Sequence, residues 1–202
     1  MDDQSAKTVK ALYERHSAAF AKLRPTNLFE QAWLDRFISN IKPKGHILDI
    51  GCGNATPIAE YLISQGFNLT GVDSSPSMIA RCKEKFPEQS WFVADMRELN
   101  LGRKFDGMIA WDSFFHLPRV DQRQMFSVFA AHAQERAALL FNSGPDDGEA
   151  IGQFAGEPLY HASLAVDEYQ LIMRNSGFGV IQHSVEDPHC GGRTVWLAVK
   201  HR

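Results

Sequence analysis

Three carboxylates and a pair of glycines carry the most legible chemistry in this chain. Asp49 lies in ILDIGCG, two residues before Gly51, with Cys52 and Gly53 following. Asp73 lies in GVDSS, followed by Ser74, and Asp95 lies in VADM, followed by Met96. Glycine at a strand-to-helix turn lets a ligand approach bare backbone. A dinucleotide fingerprint, G-x-G-x-x-G, wants its third glycine where this chain has Thr56. That pattern therefore fails, and a bare G-x-G is in many proteins only a tight turn. Asp49 beside the turn repels a pyrophosphate and attracts an ammonium or sulfonium. A carboxylate placed as Asp73 is accepts hydrogen bonds from ribose hydroxyls. Asp95 can accept from an exocyclic amine, and Met96 can pack on a flat base. Singly, each acid is equally a helix cap or a turn residue. Three at successive strand ends, joined to the glycine turn, are hard to explain that way.

The elements that must position these residues follow from periodicity. Val9, Leu12, Tyr13, His16, Phe20 and Leu23 mark an amphipathic helix ending near Pro25. Asn27 with Glu30 resembles a capping box for a second helix reaching Ile41. From residue 46 strands and helices alternate. Strands are expected at 46–50, 68–72, 90–94, 105–111 and 137–141. Helices are expected at 57–65, from Ser75-Pro76 to Phe86, and from a cap at Asp121 and Gln124 to Gln134. This alternation predicts an α/β fold, a doubly wound, mostly parallel sheet. Residues 143–163, rich in Gly, Pro and Asp, read as a loop over the sheet's carboxyl end. A helix opening at Asp167 and a terminal hairpin, 178–185 with 194–200, close the sheet. The whole chain, 1–202, reads as one domain: a helical cap (1–42), a ligand-binding core (45–142), the loop (143–163), then a helix and hairpin (164–202).

A formal net charge of -3 gives no pull toward a polyanion, so nucleic acid is not expected as a partner. Cys52, Cys82 and Cys190 are odd in number and far apart, which suits a reducing cytoplasm. No apolar run approaches a membrane span, and the first thirty residues are too charged for a signal peptide. His183, His189 and Cys190 fit no usual zinc spacing, so no metal is expected.

ILDIGCGNAT, GVDSSPSMI, VADM and FDGMIAWDSFFHLP, in this order and spacing, resemble the class I S-adenosylmethionine-dependent methyltransferases. The resemblance covers about residues 47–141. It implies a Rossmann-like fold of seven strands and S-adenosylmethionine as cofactor, S-adenosylhomocysteine being its product. Asp49 and the turn Gly51, Cys52, Gly53 would lie by the methionine moiety, and Asp73 with Ser74 by the ribose. Asp95 and Met96 would meet the adenine, and Trp111 and Asp112 would border the methyl donor. Where such enzymes usually have another glycine, this chain has Ala55, so a slightly tighter turn is expected. The N-terminal helices would fold over the cofactor, bringing Tyr13, His16, Phe20 and Trp33 toward the acceptor; equally, these aromatics could bury the helices against the core.

Methyl transfer needs alignment and exclusion of water, and a base only when the acceptor must lose a proton. His116 and His161 are the candidate bases. Each is equally a structural histidine, His116 packing under Phe114 and Phe115. Tyr13, Asp112 and Phe115 are the expected acceptor contacts. The expected activity is methylation of a small molecule by a monomer or homodimer. A protein acceptor or a non-catalytic cofactor-binding module are the alternatives. WDSF after the fourth strand is not the Asn/Asp-Pro-Pro-aromatic motif of enzymes that methylate exocyclic amines of nucleic acid.

Overall fold

The computed structural model describes residues 4–23 and 27–201. The expected helix end near Pro25 lies outside the described residues. Up to that point the structure divides the expected single helix into α1 (Gln4–Arg15) and α2 (Ser17–Leu23). α3 (Gln31–Ser39) follows, and the capping box is corrected: its N-cap is Glu30, with no side-chain cap bond.

The frame then alternates: β1 (His46–Ile50), α4 (Ile58–Ser64), β2 (Asn68–Asp73), α5 (Pro76–Lys85), β3 (Ser90–Val93) and β4 (Phe105–Ala110). α6 (Arg119–His132), β5 (Ala133–Ser143), β6 (Gly148–Phe154), β7 (Glu157–Ser163), α7 (Val166–Asn175), β8 (Phe178–Asp187) and β9 (Arg193–Lys200) complete it. Short 3₁₀ turns at Met96–Glu98 and Phe114–His116 follow β3 and β4. Seven strands form one sheet in the order β3-β2-β1-β4-β5-β9-β8. β1 to β5 run parallel, and β9 pairs antiparallel with both β5 and β8. The order reverses between β1 and β4, the crevice where such sheets bind ligands.

Alternation along the strands builds two cores. Leu48 and Ile50 face a cluster with Phe114, Phe126, Phe129, Phe141, Tyr169 and Trp196. Ile47 faces the other side, with Trp33, Phe37, Ile109 and Trp111. Fully burying each such side chain contributes roughly 1.5–3 kcal/mol. α5 starts where Ser75 Oγ accepts from Met78 N at 3.1 Å, with Pro76 at the first turn.

Two expectations are corrected here. Residues 143–163 are not a loop; β6 and β7 form an antiparallel hairpin. Phe154 pairs with Glu157, and Ala155 and Gly156 both have positive φ (51° and 81°), the two-residue primed turn. Alanine in the first turn position hid the signal. The second correction concerns α6, which is not capped by Asp121; it begins at Arg119 behind Pro118, and Asp121 instead pairs with Arg97. Among the described residues no helix is long and apolar enough to cross a membrane.

Candidate active site

The glycine turn forms the floor. Gly51 N and Cys52 N donate to Val72 O at 2.8 and 3.1 Å, binding the turn to β2. Gly51 has φ 77°, and a Cβ there would fall 2.3 Å from Ser113 Cβ, so only glycine fits. Ser113 Oγ donates to Ile50 O at 2.7 Å, fixing that approach. Ala55 sits where a third glycine is usual, at φ 65° and fully buried.

Asp73 accepts from Gly53 N and Ser75 N, both at 2.9 Å. Burial raises its pKa, and the two backbone donors only partly offset that. Glu14 of α1 adds a like charge. It accepts from the hydroxyls of Ser75 and Ser77, which tie the helix down beside Asp73. Asp95 accepts from Arg97 N at 3.0 Å, from the Arg97 guanidinium at 2.7 Å and from Lys10. Burial raises the Asp95 pKa, but these bonds outweigh it and hold the carboxyl below the usual carboxylate range. Arg97 also reaches Asp121 at 3.0 Å.

Gly51, Gly53, Asp73, Ser74, Asp95 and Met96 line one cavity of about 390 Å³. Its roof is α1 and α2, which contribute Lys10, Tyr13 and Phe20. Val9 and Leu12 pack against Leu159 and Tyr160, so the β6–β7 hairpin seats this lid. Of the four N-terminal aromatic positions, Tyr13 and Phe20 line the cavity. His16 instead bonds Glu157 at 2.6 Å, and Trp33 is buried in the core, bonded to Asp187 at 2.8 Å.

His116 also lines the cavity, on the 3₁₀ turn after β4. Its Nδ1 lies 2.8 Å from Tyr160 O, a pure acceptor, so Nδ1 carries the proton. Nε2 is then an acceptor, facing Tyr13 Oη at 2.9 Å. Burial pushes its pKa down to about 4, and the Tyr160 carbonyl only partly offsets this. The ring is therefore neutral at pH 7.

His161 and Phe115 do not line this cavity but pack behind His116, with ring centroids 4.9 and 4.7 Å from its ring. They stack on one another, with ring centroids 5.4 Å apart, and line a separate open groove of about 420 Å³ with residues 143–150. The reason is strand alternation: Tyr160 on β7 faces the lid, so His161 faces away. Asp49, Cys52 and Trp111 line a small recess beside the turn, which Asp112 shares with the main cavity. Asp112 is held by Arg193, at 2.8 and 2.7 Å, and by Asn142 Nδ2 at 2.7 Å. Burial first, then Cys82 and Asp49, raise the Cys52 pKa, which removes it as a thiolate nucleophile. Among the described residues no group of three or more His, Cys, Asp or Glu could hold a metal.

Lys10, Glu14, Arg97, Ser113 and Arg193 escaped sequence reasoning. Lys10, Tyr13 and Glu14 share one helical face by spacing, a signal present once α1 is taken as a lid. Arg193, far along the chain from Asp112, left none.

This architecture is the methyltransferase Rossmann-like fold. An amino pentose methyltransferase from Micromonospora echinaspora superimposes with TM-score 0.72 at 16% identity, covering 92% of this chain and 96% of that one. Magnesium protoporphyrin IX methyltransferase from Synechocystis gives 0.72 at 17% identity, covering 98% of each chain. Residues 47–135 match the family model described as a methyltransferase domain, and the chain resembles class I S-adenosylmethionine-dependent methyltransferases as its motifs imply. The ubiquinone biosynthesis O-methyltransferase of Rickettsia conorii is 34% identical over 89 residues, 42% of this chain and 30% of that protein. An O-methyltransferase of Pyrenophora dematioidea is 25% identical over 152 residues, 69% of this chain and 56% of that protein. The chain thus spans from about a third to little over half of these relatives' length.

Proposed function

We propose that this protein transfers a methyl group from S-adenosylmethionine to a small-molecule acceptor. The observation that carries the reading is the single lidded cavity lined by the glycine turn, Asp73 and Asp95. The residues fit such a donor: Gly51 and Gly53 present bare backbone to the cavity, Asp73 would take the ribose hydroxyls, and Asp95 with Met96 the adenine. Bound, the donor supplies an activated methyl group. The chain's own part is to orient, to exclude water with α1 and α2, and to receive a proton where one must leave.

His116 suits that last role. Its neutral Nε2 faces the cavity, and the hydroxyl it meets is the Tyr13 phenol. This arrangement favours an acceptor hydroxyl that takes the place of Tyr13 Oη and gives its proton to Nε2. Phe115 and His161, on the outer groove, serve the acceptor's approach. A roof of two helices over the cavity disfavours a protein acceptor. We place the activity in one domain acting in the cytoplasm, with no need for nucleic acid.

Incubation with labelled S-adenosylmethionine and a metabolite extract tests the reading. Mass spectrometry is expected to show one class of small hydroxyl compound gaining the label. Binding without any labelled product would favour a non-catalytic module; absence of binding by calorimetry would sink the assignment.

A further inference from the structure

Gln122, on α6, does not line the cavity, yet it is fully buried. A buried amide needs partners for both of its hydrogens and for its oxygen. Nε2 donates to Leu117 O and to Ala162 O, each at 2.9 Å. Both are carbonyls and only accept, so the NH2 end faces them and the oxygen points the other way. Oε1 accepts from Tyr169 Oη at 2.5 Å, and that phenol oxygen accepts in turn from Leu164 N at 3.2 Å.

The two carbonyls matter for where they stand. Leu117 follows His116 directly, at the end of the 3₁₀ turn. Ala162 lies two residues past Tyr160 on β7, and carbonyls two residues apart leave a strand on the same edge. Tyr160 O is the group that accepts from His116 Nδ1. The amide therefore spans the same gap as the bond that sets the tautomer of His116. β6 and β7 form a sheet of their own, so no ladder of the main sheet sets the height of Tyr160 O over the turn. A side-chain tie has to do it, and a fully bonded buried network is stiff enough to serve.

We propose that Gln122 is a positioning residue for His116: its amide holds β7 against the 3₁₀ turn, so that Tyr160 O keeps the proton on Nδ1 and Nε2 stays bare toward the cavity. This rests on the reading of His116 as the group that takes the acceptor's proton. A neutral ring with its proton on Nε2 could take none there.

The test is nitrogen NMR of the full chain, which reads the ring nitrogen of His116 that carries the proton. Gln122→Met keeps the length and deletes the amide. The ratio of the two neutral tautomers is expected to move about tenfold toward Nε2–H, the size of one lost hydrogen bond. Transfer of label from S-adenosylmethionine into a metabolite extract should fall by a similar factor. Gln122→Glu keeps the shape, and its carboxyl can donate to one carbonyl at most, so it should shift the ratio in the same direction. That variant carries the test if Gln122→Met does not fold. Leu62→Ala loosens the core on the other side of the sheet and should leave the ratio as it is. An unchanged ratio in the Gln122 variants would overturn the role, as would an equal shift in Leu62→Ala, the mark of general loosening. Unchanged label transfer in His116→Ala would instead overturn the base reading, and this role with it.

Discussion

Beneath the cavity, Phe114 is fully buried among Phe126, Phe129, Phe141 and Tyr169, with ring centroids 5.3–6.2 Å apart. Above it, α1 and the turn that follows it meet the rest through Val9 and Leu12 and through bonds that Lys10, Glu14, Arg15 and His16 make to side chains of other elements. The floor rests on apolar burial, which is nondirectional and insensitive to salt. The roof combines a small apolar cluster with charged contacts, several of them exposed, which water and ions weaken. A site built this way has its ligand-aligning groups fixed in advance, and its cover is the part with least holding it in place.

The contrast can be broken first at the floor. Phe114→Ala should destabilise the protein by about 3–5 kcal/mol, read by denaturant unfolding, because a buried ring leaves a cavity. A loss below about 1 kcal/mol would mean the floor is no tighter than the roof. Asp73→Ala comes next. It removes the proposed ribose acceptor and strands the Gly53 and Ser75 N–H groups, so S-adenosylhomocysteine affinity should fall about 100-fold in calorimetry.

His116 tests where floor and roof meet. Its folded pKa of about 4 lies below its ordinary 6.5, so it is the depressed kind. Its contribution to stability is complete above 6.5 and is lost as pH falls from there through about 4. Turnover that needs the neutral ring should likewise hold down to about pH 5 and fall near 4, and His116→Ala should abolish that limb. A rate that falls through 6.5 would show that the ring is not held neutral.

At the roof, Glu157→Gln cuts a contact with Arg15 and His16. The melting temperature should hold, while limited proteolysis within residues 4–23 speeds up. Equal protection in both proteins would remove Glu157 as a tether. The smallest effect is expected at Ala55→Gly. Relief of the left-handed φ of 65° should nearly cancel the lost buried methyl, leaving stability within about 1 kcal/mol.

The same division explains what was legible in the sequence. The floor was readable because burial imposes period: ILDI and FDGMIA could only be strands buried on both faces, and Gly51, Asp73 and Asp95 mark their ends. The roof was readable only in part. Val9, Leu12 and Tyr13 announced a helix, but not that Tyr13 meets His116 while Trp33 enters the core. The β6–β7 hairpin was missed because Ala155 stands where Asn or Gly would signal the turn. Arg193 on Asp112, and the outward aim of His161, depend on pairings between distant strands that no local pattern records.

The place of β9 has a consequence for synthesis. Its residues, 193–200, lie between β5 and β8 and carry Arg193 to Asp112. On the ribosome, every other strand of the sheet emerges before it. Until then β5 keeps an open edge and Asp112 lacks its guanidinium. Residues 1–192 therefore carry the whole glycine turn but only an unfinished mouth to the cavity, and the site is complete only once β9 has paired.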